Sequence, residues 1–155
     1  SHDDDTPEKV AWMHQMGVTI SEFPVRMEAA CVARERGMHV LMGAPNVLRG
    51  HSLTGNLSGR KTIGENCCDV LASDFAPMSL LHAVFTLAEL ELRPLHELVR
   101  MVSTCPAEVL GMSEEVGSIE VGKKADMVLV DDSGLVPRIT RTFVDGREVY
   151  AGRQC

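Results

Sequence analysis

What the 155-residue chain lacks narrows its class first. It has no apolar run near the roughly 20 residues that a membrane span needs, and no signal-peptide pattern at its start. It has no Lys/Arg stripe: 15 basic residues face 22 acidic ones, and the net charge of −7 argues against nucleic acid as a partner. Internal repeats and low-complexity segments are absent. No C-x-x-C spacing occurs among Cys31, Cys67, Cys68, Cys105 and Cys155, and the adjacent Cys67 and Cys68 suit a tetrahedral zinc site badly. These cysteines read as small buried hydrophobes plus a terminal thiol in a reducing compartment, which makes a cytoplasmic location the expectation. An initiator Met is also missing. The sequence opens on Ser1-His2-Asp3-Asp4-Asp5, as though cut within something longer.

What is present excludes a disordered chain, a collagen-like repeat and a disulfide-stapled miniature: 45% of residues are hydrophobic and 24% charged. The length is enough for one domain with a real core. Thr6-Pro7-Glu8 reads as an N-cap, a first-turn proline and an acidic first turn, so a helix is predicted over residues 7–16, stopped by Gly17. A β-branched run from residue 18 predicts a strand ending near Glu22, before Pro24. Residues 26–36 predict a second helix closed by Gly37, and residues 38–42 a second strand. Four glycines, Pro45 and several turn-forming residues make 43–59 a long loop. A third strand is predicted over 70–73, ending at Asp74.

Helices follow from Pro77, with Leu80, Leu81, Val84, Phe85 and Ala88 on one face, and from Pro94, with Leu95, Leu98, Val99 and Val102. A short helix over 106–110 stops at Gly111. Beyond Gly117 the texture turns to β, with a strand over 127–130 and a hairpin over 141–150 around Asp145-Gly146. Helices alternating with short apolar strands predict βα units and a parallel sheet buried on both faces. In a (β/α) barrel the chemistry sits at the C-terminal strand ends. Three or four strands do not close an eight-stranded barrel, so the fold reads as incomplete.

Three predicted strand ends carry side chains of metal-binding type: His2, Glu22 and Asp74. One imidazole and two carboxylates suit Zn²⁺, Mn²⁺ or Fe²⁺. Each also has a plainer reading, His2 as part of a solvated terminus or a tag remnant, Glu22 as an exposed strand end, Asp74 as a helix N-cap. What favours chemistry is that all three fall at one edge of the inferred sheet. The loop from Gly43 to Asn56 is the second candidate: its glycines admit close backbone approach, Arg49 can grip a phosphate, and Asn46, Ser52 and Asn56 add neutral donors. It lacks the Gly-Lys-Ser/Thr ending of a Walker motif. His14, His82 and His96 lie on predicted helices and His39 inside a strand, where packing roles are expected. The nine methionines read as gap-filling core residues.

The stretch Gly117-Ser118-Ile119-Glu120-Val121-Gly122-Lys123-Lys124-Ala125-Asp126-Met127-Val128-Leu129-Val130 resembles the segment by which amidohydrolase-superfamily chains leave a metal-dependent barrel and rejoin a small β-sandwich. Ser1-His2-Asp3-Asp4, Glu22-Phe23-Pro24, Gly43-Ala44-Pro45-Asn46 with Arg49-Gly50 and Gly55-Asn56, and Ser73-Asp74 before Phe75 and Pro77 narrow the resemblance to the PhnM-type, phosphonate-metabolism branch. It covers nearly the whole chain, yet less than the C-terminal half of a family member.

The resemblance implies an α/β fold: the last strands and helices of a (β/α)8 TIM-like barrel over 1–112, and strands of a small β-sandwich over 113–155. It implies hydrolysis of a ribosyl 1-methylphosphonate 5-triphosphate to the 5-phosphate and pyrophosphate. His2, Glu22 and Asp74 would be metal ligands, with Asp74 also the catalytic proton acceptor. Asn46, Arg49, His51 and Asn56 would bind substrate. The cofactor would be a divalent metal, Zn first, with Mn or Fe as alternatives. The family loop histidine is replaced by Leu53 while His51 appears two positions earlier. The superfamily's first-strand His-x-His pair and fourth-strand ligand lie outside this sequence, so the chain alone is expected neither to hold metal tightly nor to turn over. Its partner is then a missing N-terminal half of the barrel, or another copy of itself. Two rival expectations are hydrolysis of a C–N bond by another amidohydrolase, and a non-catalytic barrel remnant that self-associates through open sheet edges.

Overall fold

A computed structural model describes residues 1–52 and 55–152. Leu53, where the resemblance departs from its family, and the terminal thiol Cys155 lie outside the described residues. The chain divides into two compact units, Ser1–Val102 and Ser103–Cys155.

The first unit is built on three short strands, β1 (Ile20–Glu22), β2 (His39–Gly43) and β3 (Val70–Ala72), all parallel and in chain order. Residues 1–3 extend this sheet beyond β1. His2 bridges Glu22 in parallel, Glu22 N donates to Ser1 O at 2.9 Å, and Asp3 N donates to Glu22 O at 3.0 Å. Helix α1 (Pro7–Gln15) starts as its sequence predicts: Thr6 Oγ1 accepts from Lys9 N at 3.2 Å, and Pro7 opens the first turn. Helix α2 (Met27–Glu35) fills the predicted place between β1 and β2. Its Ala29, Ala30 and Ala33 are fully buried, and their small side chains let the helix lie close to the sheet.

Side chains alternate across a strand. Ser21, Val40, Met42 and Leu71 therefore share one face, and all four are buried, the three apolar ones in a single core with Val10, the α2 alanines, Val84, Leu87 and Leu98. The opposite face carries Ile20, Glu22, His39, Leu41 and Ala72, which are half-buried, and Val70, which is buried. The first face is thus the more completely covered of the two.

Helix α5 (Ser79–Glu89) follows β3 and buries Ala83, Val84 and Leu87, while Leu80, Phe85 and Ala88 of the predicted face pack half-buried against the same core. Helix α6 (Leu95–Arg100) buries Leu98 while Leu95 and Val99 stay exposed.

Two expectations fail in this unit. The predicted loop 43–59 contains helix α3 (Ala44–Arg49), and helix α4 (Gly59–Gly64) follows where none was expected. Residues read as breakers are here the ends of elements. Pro45 sits in the first turn of α3, Gly50 at φ 81° caps its last turn, and the Arg60 guanidinium donates to Val47 O at 2.6 Å and Leu48 O at 2.9 Å. A Cβ on Gly59 would lie 2.9 Å from Val47 Cγ2, so the packing of α4 on α3 requires glycine there. Gly59→Ala is expected to destabilise the protein by about 1–3 kcal/mol, the usual cost of overpacking a buried site; urea denaturation of both proteins measures it.

The cysteine expectation fails as well. Cys31 of α2 and Cys67, just before β3, form a disulfide across 36 residues of sequence. No local spacing announces it, because the pairing is created by the approach of α2 to the end of the α4–β3 connection. The cysteines therefore give no ground for a reducing compartment. Cys68 does behave as a small buried hydrophobe: burial pushes its thiol up to about 12. None of the described helices is long and apolar enough to cross a membrane.

The second unit begins with α7 (Thr104–Val109) and carries an antiparallel sheet of β4 (Met127–Asp131), β5 (Arg138–Val144) and β6 (Arg147–Ala151). Asp145 and Gly146, at φ 50° and 74°, form the turn that their pairing predicts. The described residues form one sheet here, without a second sheet to complete a sandwich.

Candidate functional site

At the C-terminal edge of the parallel sheet, three neighbouring chain segments leave their strands in the same unusual way. Asp3, Phe23 and Asp74 follow the His2 bridge, β1 and β3, and take left-handed backbone at φ 53°, 52° and 52°. Such conformations cost energy for residues other than glycine, and they concentrate where a side chain must be re-aimed. Here all three residues line one cavity of about 220 Å³, together with Gly43, Asn46 and Arg49.

Gly43 closes β2 at the floor of this edge. A Cβ placed there would stand 3.7 Å from both Asp74 Oδ2 and Phe23 Cε1, so the carboxylate and the ring flank the same backbone. The Phe23 ring meets His2 edge-on, with centroids 5.5 Å apart and planes at 82°. His2 Nδ1 lies 3.1 Å from Asp3 Oδ2, and both side chains are mostly exposed. Asp74, Arg49 and Asn56 are exposed as well, which leaves the cavity open to solvent.

The structure thus brings five of the eight sequence-derived candidates to one cavity: Asp74, Asn46, Arg49, Ser52 and Asn56. His2 and Glu22 stand beside it, as neighbours of Asp3 and Phe23 in sequence, but are not part of its wall. His51 is exposed on the following loop, with Nδ1 3.2 Å from Arg49 O. The Asn46 amide is engaged on both sides, donating to Leu57 O at 3.0 Å and accepting from Gly59 N at 2.8 Å. It holds the loop in place rather than offering free donors. Arg49 ends α3 and has no ion-pair or hydrogen-bond partner for its guanidinium among the described residues, so its charge is available to an anion in the cavity.

Divalent-metal chemistry is supported only in part by these residues. An imidazole and two carboxylates are suitable donors, yet among the described residues no three His, Cys, Asp or Glu side chains group closely enough to hold an ion. His2, Glu22 and Asp74 are therefore not a complete ligand set on their own.

Sequence reasoning missed Asp3, Phe23 and Phe75 as wall residues. Their one signal is position, each directly following a strand-end candidate. It also missed Asp4. This carboxylate is fully buried, accepts from Ser1 Oγ and Ser21 Oγ at 2.5 Å each, and faces Lys9 Nζ at 3.3 Å. Burial pushes its pKa up, but the two hydroxyl donors and Lys9 outweigh that and hold it below the ordinary carboxylate range.

His39 is at the opposite edge of the sheet. Its Nδ1 meets Asp69 Oδ2 at 2.7 Å, and that carboxylate also accepts from Arg34 at 2.9 Å and, through Oδ1, from Val40 N at 2.8 Å. This network ties α2 to β2 and β3 at the N-terminal strand ends, away from the cavity.

Comparison with known proteins gives the family. The chain is 40% identical over 152 residues to the alpha-D-ribose 1-methylphosphonate 5-triphosphate diphosphatase of Escherichia coli (strain K12), covering 97% of this chain and 40% of that protein. It is 34% identical over 106 residues to the N-acetylglucosamine-6-phosphate deacetylase of Vibrio furnissii, covering 63% of this chain and 26% of that one. A solved amidohydrolase from Thermotoga maritima MSB8 superposes with a TM-score of 0.74 at 22% identity, over 97% of this chain and 43% of its own. The chain therefore spans well under half the length of these relatives. The pattern of the Amidohydrolase family matches residues 24–149, from the buried proline behind Phe23 to the last strand. With the parallel sheet and its cavity at the C-terminal strand ends, that match places the chain in the amidohydrolase family, a hydrolase by ancestry.

Proposed function

We propose that this chain is the C-terminal part of a (β/α)8 barrel hydrolase of phosphonate metabolism, with residues 1–112 in the barrel and 113–155 in a small β-sandwich. Its substrate is a ribosyl 1-methylphosphonate 5-triphosphate. Water adds across the anhydride between the α and β phosphates, giving the 5-phosphate and pyrophosphate. The observation that carries this reading is the joint placement of Asp74 and Arg49 on one open cavity at the C-terminal sheet edge; the 40% identity to the E. coli diphosphatase supports it.

Asp74 takes the proton of the attacking water. Arg49 binds the triphosphate by charge-assisted hydrogen bonds, and Asn56 adds a neutral donor. Asn46 keeps the loop in register, with His51 at the loop's outer rim. A divalent ion, Zn first and Mn or Fe as alternatives, would polarise a phosphoryl oxygen when bound. His2, Glu22 and Asp74 would supply part of its ligand set, and the rest of the barrel, from a longer chain or a second copy, the remainder.

Pyrophosphate release from the ribosyl triphosphate tests the reading in the full-length protein. Arg49→Ala is expected to raise KM about 10–100-fold, the worth of a hydrogen bond to a charged group. The similarity to a deacetylase favours a second reading, hydrolysis of a C–N bond. No pyrophosphate release, together with turnover of a cyclic amide, would establish that reading instead.

A further inference from the structure

The buried carboxylate of Asp4 has no part in the chemistry just proposed, and its surroundings give it another role. We infer that Asp4 is a positioning residue, whose contacts hold the two strand ends that carry Asp3 and Phe23 into the cavity wall with His2 and Glu22 beside them. The inference rests on the proposed function for what the wall does, but not for how it is held.

Asp4 directly follows Asp3, and its Oδ2 reaches back to Ser1 Oγ and across to Ser21 Oγ on β1, two residues before Phe23. Its main-chain oxygen accepts from Val25 N at 2.9 Å, two residues after Phe23. The left-handed turn at Phe23 is therefore gripped on both sides by one residue of the neighbouring segment. Lys9 closes the other side. Its Nζ pairs with Asp4 Oδ1 and donates to His2 O and Asp3 O, each at 3.0 Å. Those carbonyls bracket the left-handed turn at Asp3. A single lysine on α1 thus fixes both the buried carboxylate and the turn that the carboxylate supports.

A buried ion pair adds little net stability, because desolvation offsets its attraction. Its value here is geometric. Without the carboxylate, two hydroxyls lose their common acceptor and an ammonium its counter-ion, and both left-handed turns lose the group that links them. A misplacement of about 1 Å at a reacting site costs on the order of 100-fold in rate.

The test uses the full-length protein and four variants: Asp4→Ala, Ser21→Ala, the pair Asp4→Asn with Lys9→Met, and Asp69→Ala as a control that breaks the network at the opposite sheet edge. Readouts are kcat for pyrophosphate release and the nuclear Overhauser contact between the His2 and Phe23 rings. Asp4→Ala is expected to lower kcat about 10–100-fold and to lose the ring contact. The paired variant keeps an oxygen acceptor for the hydroxyls and leaves no unpaired ammonium but gives up the Lys9 bonds to His2 O and Asp3 O, so its kcat and ring contact fall between those of Asp4→Ala and the wild type. Asp69→Ala lowers the melting temperature and leaves the ring contact in place. Should Asp4→Ala not fold, Ser21→Ala, which removes one hydroxyl and no charge, gives a weakened ring contact.

Wild-type kcat and ring contact in folded Asp4→Ala or Ser21→Ala would overturn the inference, as would an equal loss of both in Asp69→Ala. A wild-type protein that releases no pyrophosphate, but whose ring contact still follows Asp4, counts against the proposed function alone and supports the positioning role.

Discussion

Asp74→Asn is expected to lower kcat for pyrophosphate release by about 10²–10⁴-fold, the range for loss of a positioned general base. KM is expected to change far less, since the proposed reading gives the triphosphate to Arg49. The substitution isolates the base from the backbone. Asp74 occupies left-handed space at φ 52°, which asparagine adopts as readily as aspartate, so the turn after β3 keeps its shape. The amide has the volume of the carboxylate beside Gly43 but does not accept a proton at neutral pH. Steady-state pyrophosphate release from the two full-length proteins, alongside their circular dichroism, measures the effect. An unchanged kcat in a folded variant would remove Asp74 from the chemistry.

Reduction of the Cys31–Cys67 bond, or Cys31→Ser, is expected to cost about 3–4 kcal/mol. The loop closed by the bond spans 36 residues, and releasing it restores that much chain entropy to the unfolded state. For a chain of this length the melting temperature then falls by roughly 6–16 °C. Thermal denaturation with and without reductant measures the shift. Cys68, although adjacent to Cys67, does not reshuffle the bond in the folded state. Its thiol, pushed up to about 12 by burial, stays protonated at neutral pH. Cys68→Ser is therefore expected to leave the reductant-dependent shift intact. A melting temperature indifferent to reductant would mean that the bond does not form in solution.

Local chemistry made much of the first unit legible. Thr6 and Pro7 start α1 where an N-cap and a first-turn proline place it, and three short apolar runs become three parallel strands. The Asp145-Gly146 pair makes its hairpin. The same rules misread residues 43–59, because glycine and proline mark both loops and helix ends. Only the packing of Arg60 on the last carbonyls of α3, and of Gly59 against Val47, resolves which applies.

For the candidate site, strand-end position singled out Asp74, and residue type within the 43–56 loop singled out Asn46, Arg49, Ser52 and Asn56; all five share one cavity wall. Position could not reveal that the Asn46 amide is already engaged by Leu57 and Gly59. Nor could it show that His2 and Glu22 stand outside the wall while Asp3 and Phe23 enter it. That exchange is made by two left-handed residues, whose turns are contacted by the carboxylate next to one of them and by a lysine on α1.

What the sequence by itself determined is periodic or local: the three strands and most of the helices between them, the parallel sheet, and the family. Each follows from interactions within a few residues or from a repeated pattern. What only the tertiary structure decided is who meets whom across the chain: the Cys31–Cys67 pair, the α3–α4 contact, the Asp4 clamp and the membership of the cavity wall. Those depend on segments brought together by burial of the common core, and no spacing in the sequence encodes the distances between them.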